Sequence, residues 1–346
     1  MQPANLSEVL RGLTDRYGSV DDIVRALQGH PGFKTLNRAT VYRWRENPSP
    51  RAALAIEILS SKFDIGHAGS LRIAEPETLW VLPSTVLAWE AQKGRPYGLL
   101  KQRYGIQATV KPVPTGGDAF TLLSKGEVEI ATGARDLLAS FSPNCQRLCA
   151  LTRSHVAGIC RRSIQTIFDL DKLSFGFPSR SGIAARLNHL SRDRGITFGR
   201  LVPIETPAEC AKALSQGKSR LDGFIAWDSF IDKIRAKLPA SLTLHPIPQG
   251  FLGSIEMSIA INPSIAKPGL VRAYLWAVRQ AAAYVNERKD RPSFQREISK
   301  RTHLEYRDVQ QTLQHSAFGI DDLDPEIVLG LWEREADQAR SAAQRP

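Results

Sequence analysis

From residue 77 onward, short strand-like apolar runs alternate with runs that have the apolar spacing of a helix. The alternation begins with strand-like 79–82, helical 86–104, strand-like 107–113, helical 118–125 and strand-like 128–131. Residues 145–163 follow as two extended strands that cross over to a second series, which opens with a strand at 173–177. Such alternation is typical of βαβ units with a mostly parallel sheet. We therefore expect a two-lobed α/β body over residues 77–346.

The N-terminal part of the chain has a different pattern, in which each apolar stripe has the period of a helix. Apolar residues recur three and four positions apart over 6–13 and again over 20–27. The pattern predicts a small all-α domain of short helices over residues 1–65. Residues 66–76 carry glycines and small residues without an amphipathic face, so they are predicted to be a linker to the body, 77–346.

The composition is that of a globular protein with a basic balance. Lys and Arg number 46 against 35 Asp and Glu, a net charge of +11 that is compatible with nucleic acid or an anionic ligand. Only +2 of this charge falls in residues 1–70, so the charge permits DNA binding without locating it. There is no apolar run of about 18 residues and no pattern of a secretory signal, so neither a membrane span nor export is expected. The four cysteines form no CxxC pair, and the cytoplasm is the expected compartment.

The segment 37–51 carries the sharpest local signal. Asn37 is a predicted N-cap for a helix over 38–46, and Val41 and Trp44 are spaced to anchor that helix to its neighbours. The opposite face then presents polar side chains to solvent, where an arginine can read guanine and a threonine can contact a thymine methyl group or a phosphate. The predicted DNA-contacting residues are Arg38, Thr40, Tyr42, Arg43 and Arg45. Arg45 and Arg51 are expected near phosphates, which set affinity but not sequence.

This segment resembles the Cro/repressor type of helix-turn-helix, in which a recognition helix ends in a Trp followed by a polar turn and a proline. The resemblance rests on residues 40–44 together with Pro48 and Pro50. The stretch 29–36 between the two helices is longer than the tight turn of that family. The resemblance implies double-stranded DNA as a partner. A helical packing or dimerisation domain with a solvated arginine face is the alternative.

Hydroxyl and glycine residues recur where the predicted strands of the body end. They lie at 84–85, 115–118, 132–135 and 179–182. In open α/β sheets, ligands bind beyond the carboxyl ends of strands, where helix N-termini present N–H groups and a partial positive charge. A small anionic or zwitterionic ligand between two lobes fits this arrangement, with Arg135 and Arg180 as counter-charges. Helix capping is the alternative role for each hydroxyl.

An ordered series of short motifs in the body resembles the type 2 periplasmic substrate-binding fold, within it the nitrate/sulfonate/bicarbonate and thiamine-pyrimidine group. The motifs are residues 89–94 (WEAQKG), 104–106 (YGI), 122–133 (LLSKGEVEIATG), 168–173 (FDLDKL) and 223–227 (GFIAW). The likeness spans 77–335, most of the chain. It departs from the family at Glu129, where an Asp is usual, and in the longer, more basic stretch 95–103. It also departs in lacking the signal peptide of exported members.

The resemblance implies both a ligand site and a role for the whole chain. The predicted ligand-binding residues are Ser84, Thr85, Thr115, Gly116, Thr132, Arg135, Ser179, Ser181, Trp227 and Asp228. This set includes the loop glycine Gly116, the counter-charge Arg135 and the carboxylate of Asp228 beside Trp227. A helical head on such a body implies a one-component transcription regulator, acting as a dimer or higher oligomer. LysR-type regulators combine the same effector fold with a different, winged head. No catalytic residue, cofactor or metal site is predicted. The alternative is a cytoplasmic small-molecule-binding protein, or an enzyme of the thiamine-pyrimidine-synthase-like group, with a helical packing domain.

Overall fold

The structure is a computed structural model that describes residues 11–14, 17–28, 31–46, 49–62, 69–141, 144–215, 221–248, 250–319 and 328. Its helices are α1 (Val20–Gln28), α2 (Arg38–Glu46), α3 (Pro50–Lys62), α4 (Leu82–Thr85), α5 (Leu99–Tyr104), α6 (Gly116–Ser124), α7 (Ile183–Arg194), α8 (Pro207–Ser215), α9 (Asp228–Arg235), α10 (Pro268–Arg288), α11 (Pro292–Thr302) and α12 (Tyr306–Gln314). Its strands are β1 (Ser70–Pro76), β2 (Gln107–Val113), β3 (Ile130–Ala134), β4 (Gln146–His155), β5 (Ala157–Cys160), β6 (Phe175–Pro178), β7 (Leu201–Ile204), β8 (Gly223–Ala226), β9 (His245–Pro246), β10 (Ser254–Ile261) and β11 (Ser316–Phe318). Short 3-10 segments lie at Pro31–Phe33, Leu79–Val81, Val86–Ala88, Arg135–Phe141 and Ile167–Leu170.

A six-stranded mixed sheet forms the core of the large lobe. Its strand order is β11-β4-β10-β3-β1-β2, in which β1 runs parallel to β2 and β3 while β10 runs antiparallel to β3 and β4. Alternate residues of β1 point to opposite faces. Leu71 and Ile73 belong to the core that includes helix α10, whereas Ala74 packs with Phe120 of α6. Because β1 runs parallel to β2 and β3, the carboxyl ends of these three strands reach the same edge of the sheet.

A five-stranded sheet forms the small lobe, in the order β7-β6-β8-β5-β9. Strand β6 runs parallel to β7 and β8, and β5 runs antiparallel to β8 and β9. The chain passes from the large lobe to the small lobe between β4 and β5, with Val156 as the single residue between them, and it returns between β9 and β10. The two extended strands predicted over 145–163 are thus present. Connections of this kind allow two lobes to move as hinged bodies.

Strand β1 lies within the range 66–76 that the sequence analysis assigned to a linker. It pairs in parallel with β2 over all seven of its residues. Arg72 and Glu75 interrupt its apolar pattern, but Arg72 forms an ion pair with Glu129 (2.5 Å) and Glu75 is buried. Two charged residues in a seven-residue strand hide the alternation from sequence inspection. The linker prediction is therefore corrected over 70–76, where the body begins.

The first predicted strand and helix of the body also differ from the structure. Residues 79–82 form a 3-10 turn that leads into α4, because Thr78 caps the turn and Pro83 occupies the first turn of the helix. A short apolar run buried on several sides cannot distinguish strand from helix. The predicted helix 86–104 is helical only in a 3-10 turn at its start and in α5 at its end, and Gly98, with φ of 61°, precedes α5.

The N-terminal helices pack around a small apolar core. Helix α2 occupies the predicted range 38–46, and the side chain of Asn37 accepts the N–H of Thr40 (3.0 Å) as the expected cap. Trp44 is buried and meets Phe33 edge to face, with ring centroids 6.1 Å apart. Phe33 comes from the 3-10 turn between α1 and α2. The long connection between these helices therefore supplies part of the core rather than a tight turn.

We call residues 17–62 the head and residues 69–319 the body. The head rests on helix α10 of the body. Tyr17 is fully buried and its ring meets that of Trp276 edge to face, with centroids 5.0 Å apart. Asp22 in α1 forms an ion pair with Arg279 (3.5 Å). These contacts attach the head to the large lobe, to which α10 belongs.

Two further expectations concern helices. The sequence also predicts a helix over 326–342, because Asp324 and Pro325 suit the cap and the first helical position. That range lies outside the described residues apart from Val328, which is helical and buried. Within the described ranges, none of the helices combines the length and the hydropathy that a membrane crossing requires.

Candidate functional site

A cleft lies between the two lobes, with about 430 Å³ of empty space that includes open solvent. We call it the first cavity. The large lobe contributes residues that follow β1 and β2, the end of β3 and part of β10, and the small lobe contributes the start of α7 and the residue after β8. The wall residues are Pro76, Glu77, Thr78, Trp80, Pro114, Thr115, Gly116, Ala134, Leu137, Ser181, Gly182, Ile183, Trp227, Ile255 and Met257. The cavity therefore occupies the place where open α/β sheets bind ligands.

Two helices, one from each lobe, begin at the cavity wall. Helix α6 begins at Gly116, and Thr115 caps it by accepting the N–H of Asp118 (3.3 Å). Helix α7 begins at Ile183, whose N–H donates to the hydroxyl of Ser181 (3.4 Å). The first N–H groups of a helix have no acceptor within the helix and carry a partial positive charge. Both helix ends therefore favour an anionic or hydrogen-bond-accepting group in the cavity.

The remaining walls are mostly apolar. Trp80 of the large lobe meets Trp227 of the small lobe edge to face, with ring centroids 6.0 Å apart. Ile255 and Met257, on the same side of β10, add aliphatic surface. Trp80 is buried, and its indole Nε1 has no hydrogen-bond partner within the described structure. A buried donor without a partner is costly, so an acceptor on a bound molecule would stabilise this wall.

The lobes touch directly beside the cavity. The N–H of Gly117 in α6 donates to the carbonyl oxygen of Arg180 (3.2 Å), and the Arg180 guanidinium pairs with Asp118 (2.6 Å). Arg180 has φ of 53°, a left-handed conformation that non-glycine residues seldom adopt. A Cβ on Gly117 would lie 2.7 Å from the same carbonyl oxygen, so this approach requires glycine. The cleft is therefore closed in the structure.

The two arginines predicted as counter-charges are not part of the wall. Arg180 is paired with Asp118, and Arg135 lies 3.8 Å from Glu256, which also binds Arg147 (2.8 Å). Burial works to raise the pKa of Glu256, but hydrogen bonds from Arg147 and Ser258 and the nearby arginine charges hold that pKa below its ordinary value. Among the described wall residues the one charged side chain is Glu77. An anion in this cavity would thus depend on helix N-termini and hydroxyls rather than on arginine.

Four of the predicted ligand-binding residues lie on the cavity wall. They are Thr115, Gly116, Ser181 and Trp227. Thr115 and Ser181 also perform the capping role that was the alternative for such hydroxyls, because Thr115 caps α6 and Ser181 donates to the carbonyl of Pro178 (2.6 Å). The structure thus brings together one predicted cluster from each lobe.

Ser84 and Thr85 lie away from this cavity. Their prediction assumed a strand over 79–82, whereas the structure places both in helix α4. The hydroxyl of Ser84 lies 2.6 Å from that of Tyr274, and the hydroxyl of Thr85 donates to Glu75 (2.8 Å). Because α4 packs on α10 and β1, these side chains turn to the other face of the large sheet.

Three other predicted residues, Thr132, Arg135 and Ser179, also lie off the wall, each for a local reason. Thr132 is inside β3, because that strand continues to Ala134 and buries it. Arg135 faces Glu256, as described above. Ser179 is held by its backbone N–H, which donates to the carbonyl of Ile204 (3.0 Å). Asp228 is the first residue of α9, and its side chain is outside the described part of the chain.

Several wall residues were missed by the sequence analysis. Trp80 lies in the apolar run 79–82, which was predicted to be a strand. Leu137 follows β3 in a 3-10 segment. Ile255 and Met257 alternate along β10, a pattern that indicates one shared face of a strand. That face could have been identified from the sequence, but its position beside the small lobe could not.

Four of the five predicted DNA-contacting residues lie on the more exposed side of α2. Arg38, Tyr42 and Arg43 are exposed and Thr40 is partly exposed, while Trp44 is buried on the other side. The hydroxyl of Thr40 donates to the Asn37 side chain (3.0 Å). This arrangement separates a packing side of the helix from a polar side, as the sequence predicted.

Existing contacts occupy some of these basic groups. Arg38 forms an ion pair with Asp21 (3.4 Å), and its guanidinium lies over the ring of Tyr42, 5.6 Å from the centroid. Arg51 donates to the carbonyl of Gly32 (2.7 Å) and therefore holds the turn before α2 rather than a phosphate. The side chain of Arg45 lies outside the described residues.

Solved structures with a similar fold are substrate-binding proteins. The alkanesulfonate-binding protein SsuA from Xanthomonas axonopodis pv. citri, bound to MOPS, has a TM-score of 0.54 and 16% identity, covering 81% of this chain and 96% of that chain. The periplasmic aliphatic sulphonate-binding protein SsuA from Escherichia coli has a TM-score of 0.54 and 16% identity, covering 78% and 93%. A Candida albicans protein described as having the generic periplasmic binding protein fold has a TM-score of 0.55 and 17% identity, covering 76% and 90%.

No protein-family model and no curated protein sequence matches the chain. At the identities of the solved structures, the likeness establishes the fold alone. The body has the two-sheet α/β fold of the periplasmic binding proteins, and this part of the predicted fold class is confirmed.

Proposed function

We propose that this protein is a one-component transcription regulator, in which the body closes on a small organic molecule and the head binds DNA. The observation that carries the proposal is the closed cavity between two lobes on a body that also holds a helical head. Such a protein would act in the cytoplasm with its DNA, and no catalytic role is proposed for it.

The proposed ligand of the first cavity is a small anionic or zwitterionic organic molecule with an apolar part. The N-termini of α6 and α7 suit its anionic end, and Trp80, Trp227 and Met257 suit its apolar part. The SsuA neighbours support this class, because one is described as bound to MOPS and the other as binding aliphatic sulphonates. The wall carries Glu77 and no described arginine, which favours a zwitterion over a small inorganic anion.

The proposed DNA-binding element is helix α2. Its exposed side carries Arg38, Tyr42 and Arg43, and its buried side holds it against the head. Arginine can pair with guanine through two hydrogen bonds, so these side chains suit the major groove. The pairing of Arg38 with Asp21 would be exchanged for contacts to DNA, at little cost because both side chains are largely exposed.

The contacts of the head with α10 support coupling between ligand and DNA. Because α10 belongs to the large lobe, opening of the cleft would move the small lobe relative to the head. In a dimer or higher oligomer, that motion changes DNA affinity only if the open and closed states hold two heads at different spacings. Half-sites about one helical turn apart, or a multiple of it, are then expected.

One observation favours the alternative, a small-molecule-binding protein whose head only packs. Tyr17 is fully buried against Trp276, so the head already has a structural role on the body. In that case residues 38–46 would form a solvated face without a partner.

The deciding experiment is selection of full-length protein on a pool of random-sequence duplexes at two salt concentrations. We expect enrichment of one near-palindromic motif, and loss of that enrichment in Arg38→Ala/Arg43→Ala. The matched control is Arg192→Ala/Arg194→Ala, which removes the same charge from exposed positions of α7. If both double variants weaken binding equally and no motif emerges, the binding is phosphate attraction alone and the packing alternative is favoured.

A further inference from the structure

A second cavity, with about 1170 Å³ of empty space that includes open solvent, shares the segment 76–78 with the first. Pro76, Glu77 and Thr78 belong to the walls of both. The second cavity is bounded by β1, α4 and β2 of the large lobe and by the junction of α11 with α12. Lys233, on α9 of the small lobe, also lines this cavity. This cavity is therefore a second space shared by the two lobes.

Glu75 is the residue that sets this wall apart. Its side chain is 2% exposed, one carboxyl oxygen accepts the hydroxyl of Thr85 (2.8 Å), and the other has no hydrogen-bond partner within the described structure. Burial raises the pKa of Glu75 to about 7, against the opposing effect of the neighbouring Ser84 and Thr85 hydroxyls. A buried carboxyl oxygen without a partner is costly, and a donor entering from the cavity would remove that cost.

Basic side chains line the other side of this cavity. Lys233, Arg301 and His303 are exposed at its wall. The guanidinium of Arg301 is held by an ion pair with Glu297 (3.2 Å) and by the rings of Trp89 and Tyr97, whose centroids each lie 5.0 Å away. A guanidinium held in this way loses little side-chain freedom on binding a carboxylate. The cavity thus has an acidic wall and a basic rim.

We infer that the second cavity binds a small zwitterion of the amino acid class, with its ammonium group against Glu75 and its carboxylate toward Lys233 and Arg301. The ammonium supplies the donor that the free Glu75 oxygen lacks, and Glu77 adds a second negative charge near that end. The carboxylate meets the basic rim. A neutral or purely anionic ligand would leave the Glu75 oxygen without a charged donor.

Such a ligand would also join the lobes. Glu75 belongs to the large lobe and Lys233 to the small lobe, so a molecule that contacts both favours the closed cleft. Because the segment 76–78 lines both cavities, occupancy of one changes the wall of the other, and the two affinities are coupled reciprocally. The inference goes beyond the proposed function, since it requires neither DNA binding nor a ligand in the first cavity.

The test is titration calorimetry of the full-length protein with each standard amino acid. The matched α-hydroxy acids, such as lactate for alanine, serve as probes without the ammonium group. We expect at least one amino acid to bind, and its hydroxy acid to bind about tenfold more weakly or worse. Glu75→Gln and Lys233→Met are each expected to lower the amino acid affinity about tenfold or more. Lys212→Met, which removes the same charge from an exposed position of α8 in the small lobe, is the matched control and is expected to leave that affinity unchanged.

Three results would overturn the inference. They are the absence of binding by every amino acid, binding that Glu75→Gln and Lys233→Met leave unchanged, and binding that Lys212→Met weakens as much as those two variants do. Because Lys233 is exposed, Lys233→Met remains a fair test if Glu75→Gln fails to fold. A protein that binds an amino acid here but selects no DNA motif would refute the regulator proposal and leave this inference intact.

Discussion

The main-chain N–H of Gly117 in the large lobe lies 3.2 Å from the carbonyl oxygen of Arg180 in the small lobe and donates a hydrogen bond to it. This bond joins the N-terminus of α6 to the loop that precedes α7, directly beside the first cavity. Both partners are backbone groups, so their identity does not depend on a side chain. The two groups can nevertheless meet only because Gly117 has no Cβ.

Gly117→Ala is expected to open the cleft. The added Cβ would lie 2.7 Å from the Arg180 carbonyl oxygen, closer than a carbon and an oxygen can approach without bonding, so the lobes must separate. Small-angle X-ray scattering should show a larger radius of gyration than in the wild type. Gly12→Ala is the matched control, because a Cβ there meets nothing within 4 Å. Equal radii for the two variants would contradict a role for Gly117 in closure.

The ion pair beside this bond is expected to contribute little. The side chain of Arg180 is 59% exposed, and exposed pairs are typically worth less than about 1 kcal/mol because water screens them. A double-mutant cycle with Asp118→Asn and Arg180→Gln, followed by urea unfolding, should give a coupling free energy below about 1 kcal/mol. A coupling free energy of about 2 kcal/mol or more would mean that the side chains, and not the backbone approach, hold the lobes together.

Two tyrosines of the head are expected to differ in their effect on stability. Tyr17→Ala removes a fully buried ring from its contact with Trp276, and truncation of a large buried side chain costs about 3 kcal/mol. Tyr42→Ala changes a ring that is 42% exposed and should alter the free energy of unfolding by about 0.5 kcal/mol or less. Chemical unfolding of both variants measures the difference. Similar small losses would show that the head does not depend on the body for its stability.

Glu75 should make the protein less stable as the pH rises through neutrality. Burial raises the folded-state pKa from its ordinary value to about 7, so the folded state holds a proton that the unfolded chain has released. That contribution is complete at acidic pH and is lost as the pH rises through about 7. Between pH 5.5 and 8 the loss is about 2 kcal/mol relative to Glu75→Gln. The loss is about 1.4 kcal/mol per pH unit, and it ends near the folded-state pKa of about 7.

The measurement is the free energy of unfolding of the wild type and Glu75→Gln at both pH values. Asp308 also has a raised pKa, about 6, because burial and the charge of Asp232 disfavour its ionised form. Asp308 is present in both proteins, so its contribution cancels in the comparison. A difference between wild type and variant that stays constant with pH would show that Glu75 is ionised at low pH and that its burial does not govern its titration.

Features that depend on neighbouring residues were predictable from the sequence. Asn37 caps α2 at the expected position, and α2 spans the expected range 38–46. Buried and exposed positions of α2 follow from the spacing of Val41 and Trp44, because a helix places residues three apart on one face. The alternation of strands and helices likewise reflects local spacing, and it sufficed to predict two α/β lobes.

Features that depend on distant residues were not predictable in the same way. Strand β1 was missed because its charged residues, Arg72 and Glu75, find partners only on other elements. Thr132 was placed beyond a strand end because the two further strand residues after it are stabilised by pairing with β10. Arg180 was assigned to a ligand because nothing in its neighbourhood along the chain shows that Asp118 would face it across the cleft.

The sequence by itself determined local features of this protein: the range and cap of α2, the buried and exposed sides of that helix, and the alternation of strands and helices that predicts two α/β lobes. Only the tertiary structure decided which of the predicted residue clusters meet. Thr115 and Ser181 come to one cavity, while Ser84 and Thr132 are buried elsewhere. The physical reason is one of range, because capping and periodicity act over a few residues, whereas burial and lobe contact join groups far apart in the chain.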